Sequence, residues 1–103
     1  MDSPTRLRTM AILEAEISAV EGEITRIEER LNDLRFQYRA AEQRAMTAIR
    51  GGDDRAAKAA LLEVRDRGET LAPLKADLTV LGAIAIEYRR ALETIDDPPE
   101  STG

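Results

Sequence analysis

Apolar residues recur along the first half of the chain at alternating steps of three and four residues. The series begins at Met10 and continues without a break to Ala48, which is more than five heptads. Its members are Met10, Leu13, Ile17, Val20, Ile24, Ile27, Leu31, Leu34, Tyr38, Ala41, Ala45 and Ala48. This alternation is typical of the a and d positions of a coiled coil, so it predicts one long helix with an apolar seam.

The ends of this helix carry residues with strong capping preferences. Ser3 is the predicted N-cap, and Pro4 suits the first helical position. Gly51 and Gly52 can adopt the left-handed conformation that ends a helix, and Asp53 can cap the next one. The expected order is an N-terminal cap over 1–3, a helix over 4–50, a turn over 51–53, a helix over 54–95 and a disordered tail over 96–103.

A second seam with the same alternation follows the glycines. It consists of Ala57, Ala60, Val64, Arg67, Leu71, Leu74, Leu78, Leu81, Ala85, Tyr88, Leu92 and Ile95. Its weakest position is Arg67, next to Gly68, and Pro73 removes a helical hydrogen bond at a cost of about 3 kcal/mol. We expect a kink between Arg67 and Pro73. The alternative is a break that gives three helices, with Thr70 capping the last.

Charge favours an antiparallel hairpin over a parallel dimer. A parallel dimer would place like charges in contact, at Glu16–Glu21, Glu23–Glu28 and Arg30–Arg35. In a hairpin folded at the glycines, facing seam residues have numbers that sum to 105. The flanking pairs are then oppositely charged: Glu14–Arg89, Glu28–Lys75, Arg30–Asp77 and Arg44–Glu63. The sequence therefore predicts an all-α antiparallel two-helix hairpin of the coiled-coil type. Tyr38 would face Arg67, and Gly68 would leave room for the ring of Phe36 or Tyr38.

Apolar residues outside the seam indicate a further contact surface. They gather toward the two chain ends, and Leu78–Ile86 is apolar nearly all round the helix. A helix of this kind is normally covered on more than one side, so we expect this half to pack against another copy or a helical partner in a bundle. The predicted interface comprises Leu7, Ile12, Val80, Gly82, Ile84 and Ile86. The alternative is a hairpin with a wide stripe and loosely exposed Ile84 and Ile86.

The distribution of charge suggests a second, weaker candidate. The chain has 20 acidic and 15 basic residues, yet residues 30–67 carry nine basic and six acidic side chains. The basic residues near the turn that could contact an anionic partner are Arg39, Arg44, Arg50, Arg55 and Lys58. Acidic residues are interleaved with them, so ordinary solvated charge is the leading interpretation, with an acidic protein surface or nucleic acid as alternatives.

The sequence contains few candidate residues for catalysis, metal binding or phosphate binding. There is no His and no Cys, and the paired glutamates fall beside the seam, where solvated charge is usual. The turn lacks the Lys and Ser/Thr of a phosphate-binding loop. We therefore expect no enzymatic activity, no metal and no cofactor. The longest uncharged run, Leu78–Ile86, has nine residues, which is about half of the length that a bilayer span needs. The N-terminal residues show no secretory signal pattern. We therefore expect a cytoplasmic protein without membrane contact.

These features favour a non-enzymatic structural or adaptor protein. It would be a small, self-associating component or chaperone of a larger assembly, such as a virion or a secretion-type particle. One alternative is a small regulatory protein that contacts nucleic acid through the Arg-rich turn. Another is an inhibitor or anti-factor that binds a partner protein through an apolar helix face.

Overall fold

The computed structural model describes residues 4–96, which form two helices joined by a short turn. Helix α1 spans Pro4–Arg50 and helix α2 spans Asp54–Asp96. The two helices pack against each other, so the prediction of an all-α helical hairpin is confirmed. The predicted cap over 1–3 and the predicted tail beyond residue 96 lie outside the described residues.

The turn is a Schellman motif centred on Gly52. This residue has φ of 73°, a left-handed conformation in which a side chain would be strained. The Asp53 N–H donates to the Ala48 carbonyl at 2.9 Å, and the Gly52 N–H donates to the Ile49 carbonyl at 3.1 Å. Asp53 is also the N-cap of α2, because its Oδ1 accepts a hydrogen bond from the Ala56 N–H at 3.1 Å. One aspartate thus completes one helix and caps the next.

Helix α2 continues through Pro73 as a single helix. The Thr70 hydroxyl donates to the Asp66 carbonyl at 3.0 Å, which is a bond to the preceding helical turn and not the contact of an N-cap. The alternative of three helices, with Thr70 capping the last, is therefore wrong.

The hairpin divides into two compact units, each containing a segment of both helices. The terminal unit comprises Met1–Arg26 and Thr79–Gly103, and the turn unit comprises Ile27–Leu78. In both units every predicted seam position is buried or half-buried, and none is exposed. The side chains between the helices are therefore those that the alternation of three and four selected.

The turn unit has the better buried seam. Of the eleven buried apolar residues in the described chain, nine lie in this unit. They are Ile27, Leu31, Leu34, Ala41, Ala45, Ala48, Ala57, Ala60 and Leu71. Alanine on both helices allows the backbones to approach closely, which excludes solvent from the seam near the turn.

The terminal unit has larger seam side chains that are less completely covered. Only Ile17 and Ala85 are buried there. The other seam residues of this unit are half-buried: Met10, Leu13, Val20, Ile24, Leu81, Tyr88, Leu92 and Ile95. The flanks of this seam are therefore accessible in a single pair of helices.

Candidate interaction surfaces

Two ion pairs between α1 and α2 define the edges of the hairpin. With Met10 and Ala57 as a positions and Leu13 and Ala60 as d positions, Arg44 and Glu63 are both g residues, and their side chains meet at 2.5 Å in the turn unit. Glu21 and Arg89 are both e residues, and they pair in the terminal unit. Each unit therefore has an e edge, formed by e and b positions of both helices, and a g edge, formed by g and c positions.

These pairs also test the predicted flanking contacts. The Arg44–Glu63 pair is present as predicted. Arg89, however, binds Glu21 and not Glu14. A helical side chain leans toward the N-terminus of its own helix, so the guanidinium of Arg89 lies over the preceding turn, level with the turn of α1 that carries Glu21. Pairing by residue number alone ignored this lean.

Arg6 makes a contact between the helix ends that sequence reasoning did not identify. Its Nε donates to the Ile95 carbonyl at 2.9 Å, and its second guanidinium nitrogen donates to the same oxygen. A cation bound to the last carbonyls of a helix is favoured by the helix dipole. The available signal was that Arg6 occupies a d position, directly before Met10 in the seam.

The predicted apolar interface forms two surfaces. Leu7, Ile12, Val80 and Ile86 are exposed, whereas Gly82 and Ile84 are half-buried. Their heptad positions divide them equally. The e edge of the terminal unit carries Leu7, Gly82 and Ile86, and its g edge carries Ile12, Val80 and Ile84. A partner on one edge would meet three of the six.

Gly82 provides open space on the e edge. A Cβ added there would meet no atom within 4 Å, and one added to Gly22 would lie 3.8 Å from a guanidinium nitrogen of Arg26. Close approach of α1 and α2 therefore does not require either glycine. The open space at Gly82 faces away from the packed seam, where another helix could enter.

The turn unit also exposes large apolar side chains, which the sequence reasoning missed. They are Phe36, Met46, Ile49, Leu61 and Leu62. The expectation that such residues gather only toward the chain ends is wrong. They were overlooked because they occur singly or as one adjacent pair, Leu61 and Leu62, in contrast to the dense run of Leu78–Ile86. Met46, Ile49 and Leu61 occupy b and e positions and share the e edge.

The e edge of the turn unit contains two concave sites. One, of about 400 Å³, is lined by Tyr38, Gly68 and Leu71 together with Arg35 and Arg39. A Cβ at Gly68 would lie 3.5 Å from Cε2 of Tyr38, an ordinary van der Waals contact, so Tyr38 packs beside Gly68 without requiring a glycine there. Phe36 is 74% exposed. Of the two rings considered from the sequence, Tyr38 is the one beside Gly68.

The second concave site lies closer to the turn. It measures about 330 Å³ and is lined by Leu61 and Leu62 together with Lys58 and Arg65. Both sites thus combine an apolar surface with cationic side chains and one carboxylate, which is Glu42 in the first site and Asp54 in the second.

The predicted basic cluster remains mostly exposed. Arg39, Arg50, Arg55 and Lys58 form no ion pair or hydrogen bond through their side chains with another described residue, but Arg44 is held by Glu63. The turn unit as a whole contains ten basic and ten acidic residues, so it has no net charge. The surplus of cations over residues 30–67 is therefore offset by acids that share the same unit.

The structure lowers the pKa of the Glu63 carboxyl. A hydrogen bond from Arg44 holds the pKa of its carboxyl below the ordinary value of 4.5. The charge of Arg67, whose guanidinium lies 3.6 Å from the second carboxylate oxygen, lowers the pKa further. Desolvation opposes both effects. The ionised form of Glu63 is thus coupled to packing of the helices against each other.

Two further searches concern metal and membrane contact. Within residues 4–96, no three acidic side chains come close enough together to hold a metal ion. Over the same residues, neither helix contains a stretch with the length and apolar character that crossing a bilayer requires.

Comparison with known proteins gives no relative from which a role could be transferred. The chain matches no protein-family model, no curated protein and no solved structure.

Proposed function

We propose that this chain is a non-enzymatic structural or adaptor protein that acts by packing its terminal unit against further helices. The partner is first of all another copy, in a bundle of helices, and the assembly is a larger particle of the virion or secretion type. The protein would work in the cytoplasm or within that particle. We also propose that α2 is kinked near Pro73.

The observation that carries the proposal is the contrast between apolar content and burial in the terminal unit. Its described residues contain thirteen Leu, Ile, Val and Met side chains, against eleven in the longer turn unit. Only one of the thirteen, Ile17, is buried, whereas four of the eleven are buried in the turn unit. Burial of apolar surface stabilises association by roughly 25 cal/mol per Å², so these half-covered side chains favour a further layer of helices.

Light scattering over a concentration series tests this proposal. We expect the mass to rise above the 11.4 kDa of one chain as concentration increases. An aspartate in the interface should oppose this rise, because a buried and unpaired charge is costly. Ile86→Asp and Val80→Asp are matched variants, since these residues are 52% and 57% exposed and lie on the e and g edges. At least one should keep the protein monomeric while its circular dichroism remains helical.

Phe36→Asp is the control, because this exposed ring points away from both edges at an f position. It should associate like the unmodified chain. A monomer of 11.4 kDa at every concentration, or equal association by all three variants, would contradict the proposal.

The anti-factor alternative shares the same surface and differs only in the partner. The exposed Val80 and Ile86 favour it, because an amphipathic helix can offer such residues to a groove on another protein. Under this alternative the isolated chain stays monomeric, and its helical partner is captured by the unmodified chain but not by Ile86→Asp.

A further inference from the structure

The turn unit's e edge differs in charge from the other edges of the hairpin. Over residues 4–95, it is the one edge on which cations outnumber acids. Its five cations are Arg35, Arg39, Lys58, Arg65 and Lys75, and its three acids are Glu28, Glu42 and Asp54. The g edge of the same unit has two cations and four acids. In the terminal unit, the e edge has one cation and three acids, and the g edge has one and three.

The cations on this edge accompany exposed apolar side chains. Met46, Ile49 and Leu61 lie beside Arg39 and Lys58 at b and e positions, and two of the concave sites of the turn unit open on this edge. Arg35, Arg39 and Lys58 form no ion pair with another residue of the described chain. The edge therefore presents apolar contact area together with three cations that form no ion pair within the described chain.

The terminal unit's e edge has the complementary pattern. Leu7 and Ile86 are exposed on it, and Gly82 leaves open space. Glu14 and Glu93 stand between the two apolar residues and form no ion pair within the described chain. The spacing between charged and apolar residues is also the same on the two edges. Glu93 and Ile86 are seven residues apart on the terminal edge, and Arg39 and Met46 are seven residues apart on the turn edge. Seven residues correspond to about 10.5 Å along a helix.

We infer that the turn unit's e edge is a docking surface for the terminal unit's e edge of a second copy of this chain. The inference rests on the proposed self-association and specifies which surfaces meet. Charge disfavours the pairings of like edges, because two turn edges would oppose cation to cation and two terminal edges would oppose acid to acid. Like-charge contacts of this kind suppress wrong arrangements. The terminal unit's g edge has the same balance of charge, but Glu23 and Glu87 on it already pair with Arg26 and Arg90, whereas Glu14 and Glu93 on the e edge pair with no described residue. Apolar contact between Met46, Ile49 and Leu61 and the partner's apolar residues supplies the attraction.

A charge-swap experiment tests the pairing. Arg35→Glu with Arg39→Glu makes the turn edge acidic, and Glu14→Arg with Glu93→Arg makes the terminal edge basic. Each double variant alone should self-associate at least tenfold more weakly than the unmodified chain, since both of its docking surfaces then have the same sign. An equimolar mixture of the two variants should regain association, because each then offers the other a complementary surface. Mass from sedimentation velocity at about 0.1 M salt measures all three samples.

A third double variant provides the matched control. Arg30→Glu with Arg55→Glu changes two unpaired cations of the same unit at g and f positions, outside the e edge. It should associate like the unmodified chain. Circular dichroism of each variant reports whether the hairpin remains helical, and recovery in the mixture shows that loss of association did not come from unfolding.

The outcomes separate this inference from the proposed function. If the unmodified chain associates and the mixture fails to recover, or if the control weakens association as much as the turn-edge variant does, then the edge pairing is wrong while self-association stands. If the unmodified chain is a monomer throughout, both are overturned.

Discussion

The turn unit and the terminal unit follow the same heptad pattern but achieve different burial. Ala45 and Ala48 are buried opposite Ala60 and Ala57 near the turn. Toward the chain ends, larger side chains in the same seam are mostly half-buried. Two helices alone can close a seam of small residues, because their backbones can approach until solvent is excluded. Side-chain size alone does not decide burial, because Ile27, Leu31, Leu34 and Leu71 of the turn unit are also buried between the two helices. The accessible flanks of the terminal seam therefore mark a region that another element could cover.

The largest expected effect comes from truncating a seam leucine in each unit. Leu31 is 1% exposed, so Leu31→Ala should lower the free energy of unfolding by about 2–5 kcal/mol. Leu13 is half-buried in the terminal unit, and Leu13→Ala should cost only about 1–2 kcal/mol in a dilute monomer. Urea unfolding at low concentration measures both. Equal costs would mean that the two seams are equally well packed, against the comparison drawn here.

Enlarging a seam alanine probes the close approach of the helices in the turn unit. Ala41 is fully buried, so Ala41→Leu should overpack the seam and lower the free energy of unfolding by about 1–3 kcal/mol. Ala15→Leu, at an exposed f position, is the control and should change stability by less than about 0.5 kcal/mol. Thermal unfolding of both variants is sufficient. If Ala41→Leu is neutral or stabilising, the alanine seam is looser than its burial indicates.

The smallest expected effect is a pH dependence in the turn unit. Because the pKa of Glu63 is lowered in the folded state, ionised Glu63 stabilises the hairpin above its ordinary value of 4.5. This contribution should be lost as pH falls below 4.5 and through the folded-state pKa. Stability measured from pH 7 to pH 3 should therefore contain a step that Glu63→Gln removes. Arg44→Gln should diminish the same step, and its persistence there would assign the pH dependence to another group.

The sequence predicted the hairpin because its strongest signal is an unbroken alternation of seam residues. That pattern identified the side chains between the helices, and the charges identified the Arg44–Glu63 pair. It failed for Arg89, because a long side chain meets residues about one turn away from its own level. It also missed Met46, Ile49 and Leu61, since one or two apolar residues outside the seam carry little weight in a sequence window. Only a structure shows that helix packing places them on one edge.

Arg67 illustrates a further limit of sequence reasoning. It occupies a d position, where an apolar residue is expected, and its Nε is buried without a hydrogen-bond partner among the described residues. Its terminal guanidinium group reaches Glu63. The sequence showed that the apolar seam is interrupted at this position. It did not show that the guanidinium of Arg67 adds a second cation beside the Arg44–Glu63 pair.

The Schellman turn at Gly52 has a consequence for the order in which the chain assembles. Ala48 and Ala57 are only nine residues apart, whereas Met10 and Ile95 are separated by 85. The entropy lost in bringing two residues together grows with the length of chain between them, so closure beside the glycines loses least. We expect the two helices to pair first beside the glycines and then progressively toward the chain ends. The ends of the hairpin should therefore pair last on folding and separate first on unfolding. Amide protons near residue 45 should then exchange more slowly than those near residue 13, and the reverse order would place the folding nucleus elsewhere.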